Sequence, residues 1–314
     1  MEKKLRVSVQ SSDWYDIMYG DARVDEAFAF IKDCGFDAVD YNIDHLLPTS
    51  AILGGKLTTF FDAPIEELLD YFRPMKDASE KHDVLIGQMH APFPVYYRGM
   101  DDRTADHLLM AVEKTLAICQ YVGCPALVVH PGCDEEKAYE WETNLAMYRK
   151  LIPAGKQYGV KICLENLFSN KNGHSIGRAC SDPQEAVRYL DLLNAEAGED
   201  IFGFCFDVGH ANLLRRNIRE DLKVLGSRVT VLHIHDNDAS RDLHLIPYTQ
   251  KTAPGCQNDT DWDGFIAGLK DIGYEGTLNF ETFAATVNVP QEIIPATLRL
   301  IAAIGSYFKK KLEA

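Results

Sequence analysis

This 314-residue sequence contains no apolar run approaching the ~18 residues that a membrane-spanning helix requires, so no membrane partner is expected. Its N-terminus, MEKKLRVSVQ, passes at once into a strand-like pattern without a signal-peptide core, and a cytoplasmic protein is the expectation. Cysteine pairs in CxxC spacing are also missing. Cys34, Cys119, Cys124, Cys133, Cys163, Cys180, Cys205 and Cys256 are scattered, mostly inside apolar runs, which disfavours thiolate zinc sites and predicts reduced, buried thiols. Positive charge is scarce: 32 Lys+Arg against 47 Asp+Glu leave a net charge of −15. A surface that negative repels phosphate backbones at long range, so no nucleic-acid partner is expected. The one clear basic run, FKKKLEA at the C-terminus, reads as a solvated helix end. Neither GxGxxG nor GxxxxGK[ST] follows the first strand-like segment, which removes the main nucleotide-binding alternative.

What the sequence does contain is a repeated alternation. Short, β-branched apolar runs occupy 5–12, 37–44, 85–92, 126–132, 161–167, 202–210, 229–238 and 277–282. Between them lie segments of helical period such as RTADHLLMAVEKTLAICQYVG, several closed by Gly123, Gly159 or Gly273 as helix ends prefer. Eight strand–helix units predict a parallel sheet, and in this length a closed (β/α)₈ barrel. With 46% hydrophobic residues the chain can bury a large core unaided. No low-complexity linker divides it, so one domain over 1–314 is expected. The stretch LLPTSAILGGKLTTFFDA reads as an extra loop after the second strand.

In such a barrel, chemistry gathers at the C-terminal ends of the strands. The third strand ends at His90 and the fourth at His130. The fifth ends at Glu165-Asn166, the sixth at Asp207 with His210 beyond, the seventh at His233 and His235, and the eighth at Glu281. Upstream residues of these strands are mainly Val, Leu, Ile, Phe and Cys. A single strand-end histidine is ordinarily a hydrogen-bonded structural group, and a carboxylate there ordinarily caps a helix. Accidents, however, would fall at strand starts as often as at ends. Their concentration at one end predicts a shared metal site.

The densest stretch is LHIHDNDASRDLH, residues 232–244. His235 and His233 share a strand face, so one should be a ligand and the other a packed neighbour or substrate group. Asp242 and His244 lie in the loop beyond, able to fold back as further metal or substrate contacts. Asp236 and Asp238 read as turn-forming and capping residues. Trp14, Tyr15, Phe93, Tyr96 and Tyr97 fall in loops after strands one and three, either as a wall for a sugar ring or as ordinary packing.

Taken in order, HAPF, VVHPG, LENL, FDVGH, HIHDND and NFET resemble the xylose-isomerase-like barrel superfamily, over nearly the whole chain. That group holds sugar isomerases and epimerases together with endonuclease-IV-type nucleases. The resemblance implies one divalent ion (Mn, Mg, Co or Zn) held by Glu165, Asp207, His235 and Glu281. It implies substrate contacts from His210 and Arg241, with His90 and His130 as further substrate-binding candidates, and it matches His90, His130, His210, Asp242 and His244 to additional ligands of the nuclease branch. One departure concerns the substrate pocket: many relatives carry a Pro-Gly-Glu-Gly loop where this chain reads LIPYTQKTAPGCQNDTDW.

Two glutamates on one metal suit proton transfer beside a carbonyl, with the ion stabilising the enediolate and each glutamate handling a proton. The expectation is therefore an isomerase or epimerase of a ketose or related polyol ketone, with Glu165 and Glu281 catalytic. A small sugar is the expected partner, and the oligomeric state stays open. Alternatives are an inosose-type dehydratase, a phosphodiester nuclease using up to three metals, and a sugar-binding barrel without catalysis.

Overall fold

The computed structural model describes residues 5–250 and 259–314. Eight parallel strands run in chain order: β1 (Arg6–Gln10), β2 (Ala38–Asn42), β3 (Leu85–His90), β4 (Ala126–Val128), β5 (Lys161–Glu165), β6 (Phe202–Asp207), β7 (Val229–His233) and β8 (Thr277–Phe280). Each pairs with its chain neighbour, and β8 pairs back onto β1 with Val9 opposite Phe280. The remaining seam, β7 to β8, is closed at one place. Ile234 bridges Phe280, its N–H donating to Asn279 O (2.9 Å) and its carbonyl accepting from the Glu281 N–H (3.1 Å). Regular pairing of β7 thus stops at His233, and His235 lies just beyond the assigned strand.

Helices follow the strands: α1 (Val24–Cys34), α2 (Ile65–His82), α3 (Asp102–Val122), α4 (Lys137–Tyr158), α5 (Pro183–Ala197), α6 (Ile218–Leu225), α7 (Trp262–Asp271) and α8 (Ile294–Glu313). Their sequence logic is clearest in α3. Asp101 caps it by accepting from the Thr104 N–H at 3.0 Å. Leu108, Ala111, Val112, Thr115 and Leu116 then recur at helical spacing on the buried face. Gly123 ends it at φ 76°, a left-handed conformation that costs glycine no steric strain. The fold is the (β/α)₈ barrel that the alternation predicts.

The outer faces of the strands meet the helices in one large apolar core. Inside the barrel a much smaller apolar cluster remains: Ala126, Val128, Cys163, Cys205 and Val231. The rest of the interior is polar. Ser8, Asp40, Gln88 and Asn279 are all fully buried, with Asp40 accepting from Gln88 (3.1 Å), Asn279 (2.9 Å) and His90 (3.0 Å). Of the six strands expected to be apolar upstream of the rim, β3 and β8 each carry a buried polar residue, Gln88 and Asn279, whereas the residues that β4 to β7 bury inside the barrel upstream of the rim are those of the small apolar cluster.

The extra loop after β2 contains a short helix, Thr49–Leu53. Trp14 and Tyr15 are packed inward, only 1% exposed each, so of the loop aromatics these two are core. Six cysteines are buried and free, whereas Cys133 is exposed; Cys256 and much of the loop before α7 lie outside the described residues. No described helix is long and apolar enough to cross a membrane.

Candidate metal centre

The D-x-x-H spacing has a local cause. Asp207 is the N-cap of a short helix, Val208–Leu213, and its Oδ1 accepts from the His210 N–H at 2.6 Å. A cap residue and the third helical position are neighbours, so the motif sets His210 beside Asp207. Asn166 locks the pair to β5: its side chain donates to the Asp207 carbonyl and accepts from the Asp207 N–H, both at 2.8 Å. Gly209, between them, is needed for space. A Cβ built on it would run into the His235 ring.

From β5, β6 and β8, three carboxylates converge on one imidazole. His233 Nδ1 lies 3.3 Å from Glu165, 3.7 Å from Asp207 and 3.5 Å from Glu281. His235 Nε2 sits 3.1 Å from Asp207 and 3.8 Å from Asp242. His130 Nε2 approaches Glu165 Oε2 to 2.8 Å, and His210 Nδ1 lies 3.3 Å from Glu165 Oε1. His244 pairs with Asp242 at 3.0 Å and stacks on His235 with ring centres 4.0 Å apart. Ten of the eleven sequence-derived site residues are thus brought together. Arg241 is not: it is 72% exposed and its guanidinium is held by Asp238 at 2.8 Å. Asp238 also accepts from the N–H groups of Ser240 and Arg241, the turn role expected of it.

Several of these atoms approach one another without hydrogen bonding. Glu165 Oε2, both His130 nitrogens, both His233 nitrogens, His235 Nδ1, His90 Nε2 and Asp242 Oδ1 are buried and form no hydrogen bond. Such groups are costly unless something else satisfies them. The histidine tautomers tell the same story. His210 and His244 donate Nδ1–H to the carbonyls of Asn166 (2.8 Å) and Glu281 (3.0 Å), and His90 uses Nδ1 on Asp40. In His90 and His210, Nε2 is left for the centre, the arrangement that metal-ligating histidines adopt, whereas His244 Nε2 meets Asp242 Oδ2 at 3.0 Å. Ligand groupings within reach of a single ion include His90 with His130 and Glu165, Asp207 with His210 and His235, and His235 with Asp242 and His244. The donor set, hard oxygens with imidazole nitrogens, fits a divalent cation.

The groups also set one another's proton affinity. Burial pushes Glu165 up, but the His233 and His130 imidazoles prevail and hold it well below the usual carboxylate range. Asp207 and Glu281 are lowered in the same way, by His210 and His235 and by His233 and His244 respectively, against their burial. His244, which burial would push down, is carried up to about 9 by its bond to Asp242 and by Glu281 nearby.

Two residues that sequence reasoning passed over complete the site. Gln10, at the end of β1, donates to Glu281 Oε1, and Asp40 orients His90. The signal at Gln10 was present, a polar residue ending a strand, whereas Asp40 stands at the centre of β2, where strand-end polarity gives no sign. Beside the centre opens a cavity of about 540 Å³, bordered by Gln10, His90, His130 and Glu281 on one side and by Asn42, Asp44, His45 and Thr49 of the β2 loop on the other. Phe93 and Phe283 also line it, whereas Tyr96 belongs to a separate groove between α3 and α4.

Comparison with known proteins agrees with this architecture. An inosose isomerase of Bacillus velezensis is 23% identical over 260 residues, 80% of this chain and 84% of that one. The structure of a D-tagatose 3-epimerase-like protein superposes with a TM-score of 0.67 at 20% identity, covering 99% of this chain and 100% of the other. That of the 3-keto-D-glucoside 4-epimerase YcjR from E. coli gives 0.68 at 15% identity, covering 96% and 100%. A family model described as a xylose isomerase-like TIM barrel matches residues 28–304, and the chain belongs to that family.

Proposed function

We propose that this chain is a divalent-metal-dependent isomerase or epimerase of a polyol ketone, moving a proton at the carbon beside the carbonyl. The observation that carries the reading is the convergence of Glu165 and Glu281, from strands three apart around the barrel, on the His233 imidazole, with Glu281, His90 and His130 lining the cavity beside it. Glu165, Asp207, His235 and Glu281 would hold the ion, which when bound supplies Lewis acidity that stabilises an enediolate. His235 Nε2 lies 3.1 Å from Asp207, and Gly209 leaves the room its ring needs there.

The chain's own groups then divide the work. One glutamate takes the carbon-bound proton and the other returns it, to the neighbouring carbon for isomerisation or to the opposite face for epimerisation. Gln10 fixes Glu281 by its bond to Oε1, leaving Oε2 toward His233. His90 and His130, on the cavity side, and His210 orient substrate hydroxyls. Arg241 would have to leave Asp238 to reach a substrate. The inosose isomerase relative makes a cyclic polyol ketone a first compound to try. A dehydratase of the same compound would start with the same proton abstraction.

Assay of free ketoses and inososes with manganese tests the proposal; turnover that disappears on chelation and returns with metal is the expected result. No turnover of any polyol ketone by metal-loaded protein would contradict it. A second reading, a phosphodiester nuclease, is favoured by the additional groupings around His90, His130, Asp242 and His244. The net charge of −15 weighs against it. Zinc content separates the two: about three ions per chain supports the nuclease, and one labile ion supports the isomerase.

A further inference from the structure

The charge of the cavity narrows the substrate beyond the class proposed above, and the inference rests on that reading. Among the described residues lining it there is no lysine or arginine, while two carboxylates, Asp44 and Glu281, face it. Every lining imidazole is already backed by a carboxylate: His45 by Asp21 at 3.1 Å, His90 by Asp40 at 3.0 Å and His130 by Glu165 at 2.8 Å. The basic side chains of nearby loops are engaged as well. Arg98 is paired with Asp134 (2.7 Å) and Glu136 (3.1 Å), and Arg241 with Asp238.

The backbone donor of Thr49 is also taken. Backbone N–H groups at the start of a helix attract anions. Here Thr49, which lines the cavity, has its N–H donating to the Asp44 carboxylate at 2.9 Å. What remains is suited to an uncharged ligand: the phenyl rings of Phe93 and Phe283 for C–H faces, and Asn42, Thr49 and His45 as polar groups. Thr49 is itself tied to the Phe93 loop, its hydroxyl donating to the Phe93 carbonyl at 2.7 Å.

We infer that the cavity selects an uncharged polyhydroxy ketone and rejects its phosphorylated or carboxylated counterparts, with Asp44 as a specificity-determining residue. Asp44, the lining carboxylate outside the proposed ligand set, would set like charge against an anion and disfavour it.

Calorimetric titration of the manganese-loaded protein with free ketohexoses and inosose, against ketohexose 6-phosphates, tests this, with inorganic phosphate as a control for direct binding to the metal. The neutral compounds should bind at least about tenfold more tightly than the esters. Asp44→Asn keeps an oxygen to accept from Thr49 but removes the charge. It should narrow that gap severalfold with metal content unchanged. Equal or tighter binding of the esters, no saturable binding of any neutral polyol ketone, or an unaltered gap in D44N would each overturn the inference. Saturable, ester-discriminating binding of a neutral ketone without solvent-deuterium exchange would uphold the cavity assignment while contradicting the isomerase reading.

Discussion

At Asp207 one side chain meets two demands, capping a helix through Oδ1 and facing the imidazoles through both oxygens. The neighbouring glycine is as constrained as the carboxylate. Gly209→Ala should push the His235 ring aside and weaken metal binding by about 10- to 100-fold, the usual consequence of disturbing a ligand's support. Elemental analysis beside circular dichroism checks this; a folded variant with undiminished metal would show that His235 is not a ligand. The corresponding His233→Ala and His235→Ala proteins then separate the two imidazoles, and loss of metal is expected in the second. Glu→Gln at 165 or 281 keeps shape but cannot take a proton at neutral pH. Each variant should retain metal and lose about 10²–10⁴ in turnover, read as initial rates with metal content measured alongside. At this scale the sequence was most legible where a residue broke an apolar strand at its end, as Glu165, Asp207 and Glu281 do. Arg241 shows the limit: spacing places it six residues past His235, but the adjacent Asp238 holds its guanidinium at the surface.

The strands were legible from β-branched runs, yet half of the barrel interior was not, for a specific reason. RVSVQ alternates apolar and polar residues as a strand with one wet face does. In the closed barrel the polar face of β1 turns inward, so Ser8 and Gln10 are buried and the apolar face packs on helices. Asp40 is the same case in β2. It joins three strands by accepting from Gln88, His90 and Asn279. Asp40→Ala would leave those donors buried without a partner, and a loss of about 3 kcal/mol or more is expected in urea unfolding. A second tie lies at the loops. Asp21 accepts from Tyr15 (2.9 Å), Tyr41 (3.0 Å), Tyr71 and His45, linking the β1 loop to β2 and α2. Burial opposes ionisation there, but the bonds from His45 and Tyr71 bring Asp21 down to about 2 from its ordinary 3.8. A lowered folded-state pKa contributes stability that is complete above the ordinary value and is lost as pH falls through the folded one. Between pH 4 and 2 the melting temperature of Asp21→Asn should therefore fall less steeply than that of the wild type. Parallel curves would remove Asp21 as the linkage.

For the molecule as a whole, the net charge of −15 bears on the choice of chemistry, because phosphate-backbone binding draws on an excess of cations and this chain carries an excess of carboxylates. Purified, zinc-supplied protein should leave abasic-site DNA uncut at physiological salt; metal-dependent nicking would reverse the ranking of the two readings and make His90, His130, Asp242 and His244 its explanation. Barrel and rim were readable in advance because strand–helix alternation and strand-end polarity are both local patterns. The charge pattern of the cavity was not, since Asp44, Phe93 and Phe283 come from three separate loops and meet only in the fold. The central claim is that Glu165 and Glu281 carry a proton between substrate positions. Solvent-deuterium incorporation is its most direct measurement: metal-loaded protein acting in heavy water on a polyol ketone it turns over should place deuterium at the exchanging carbon. Turnover without deuterium, alongside near-normal rates in the metal-replete Gln variants, would mean that hydrogen crosses without entering either carboxylate, and the proton-transfer account would be contradicted.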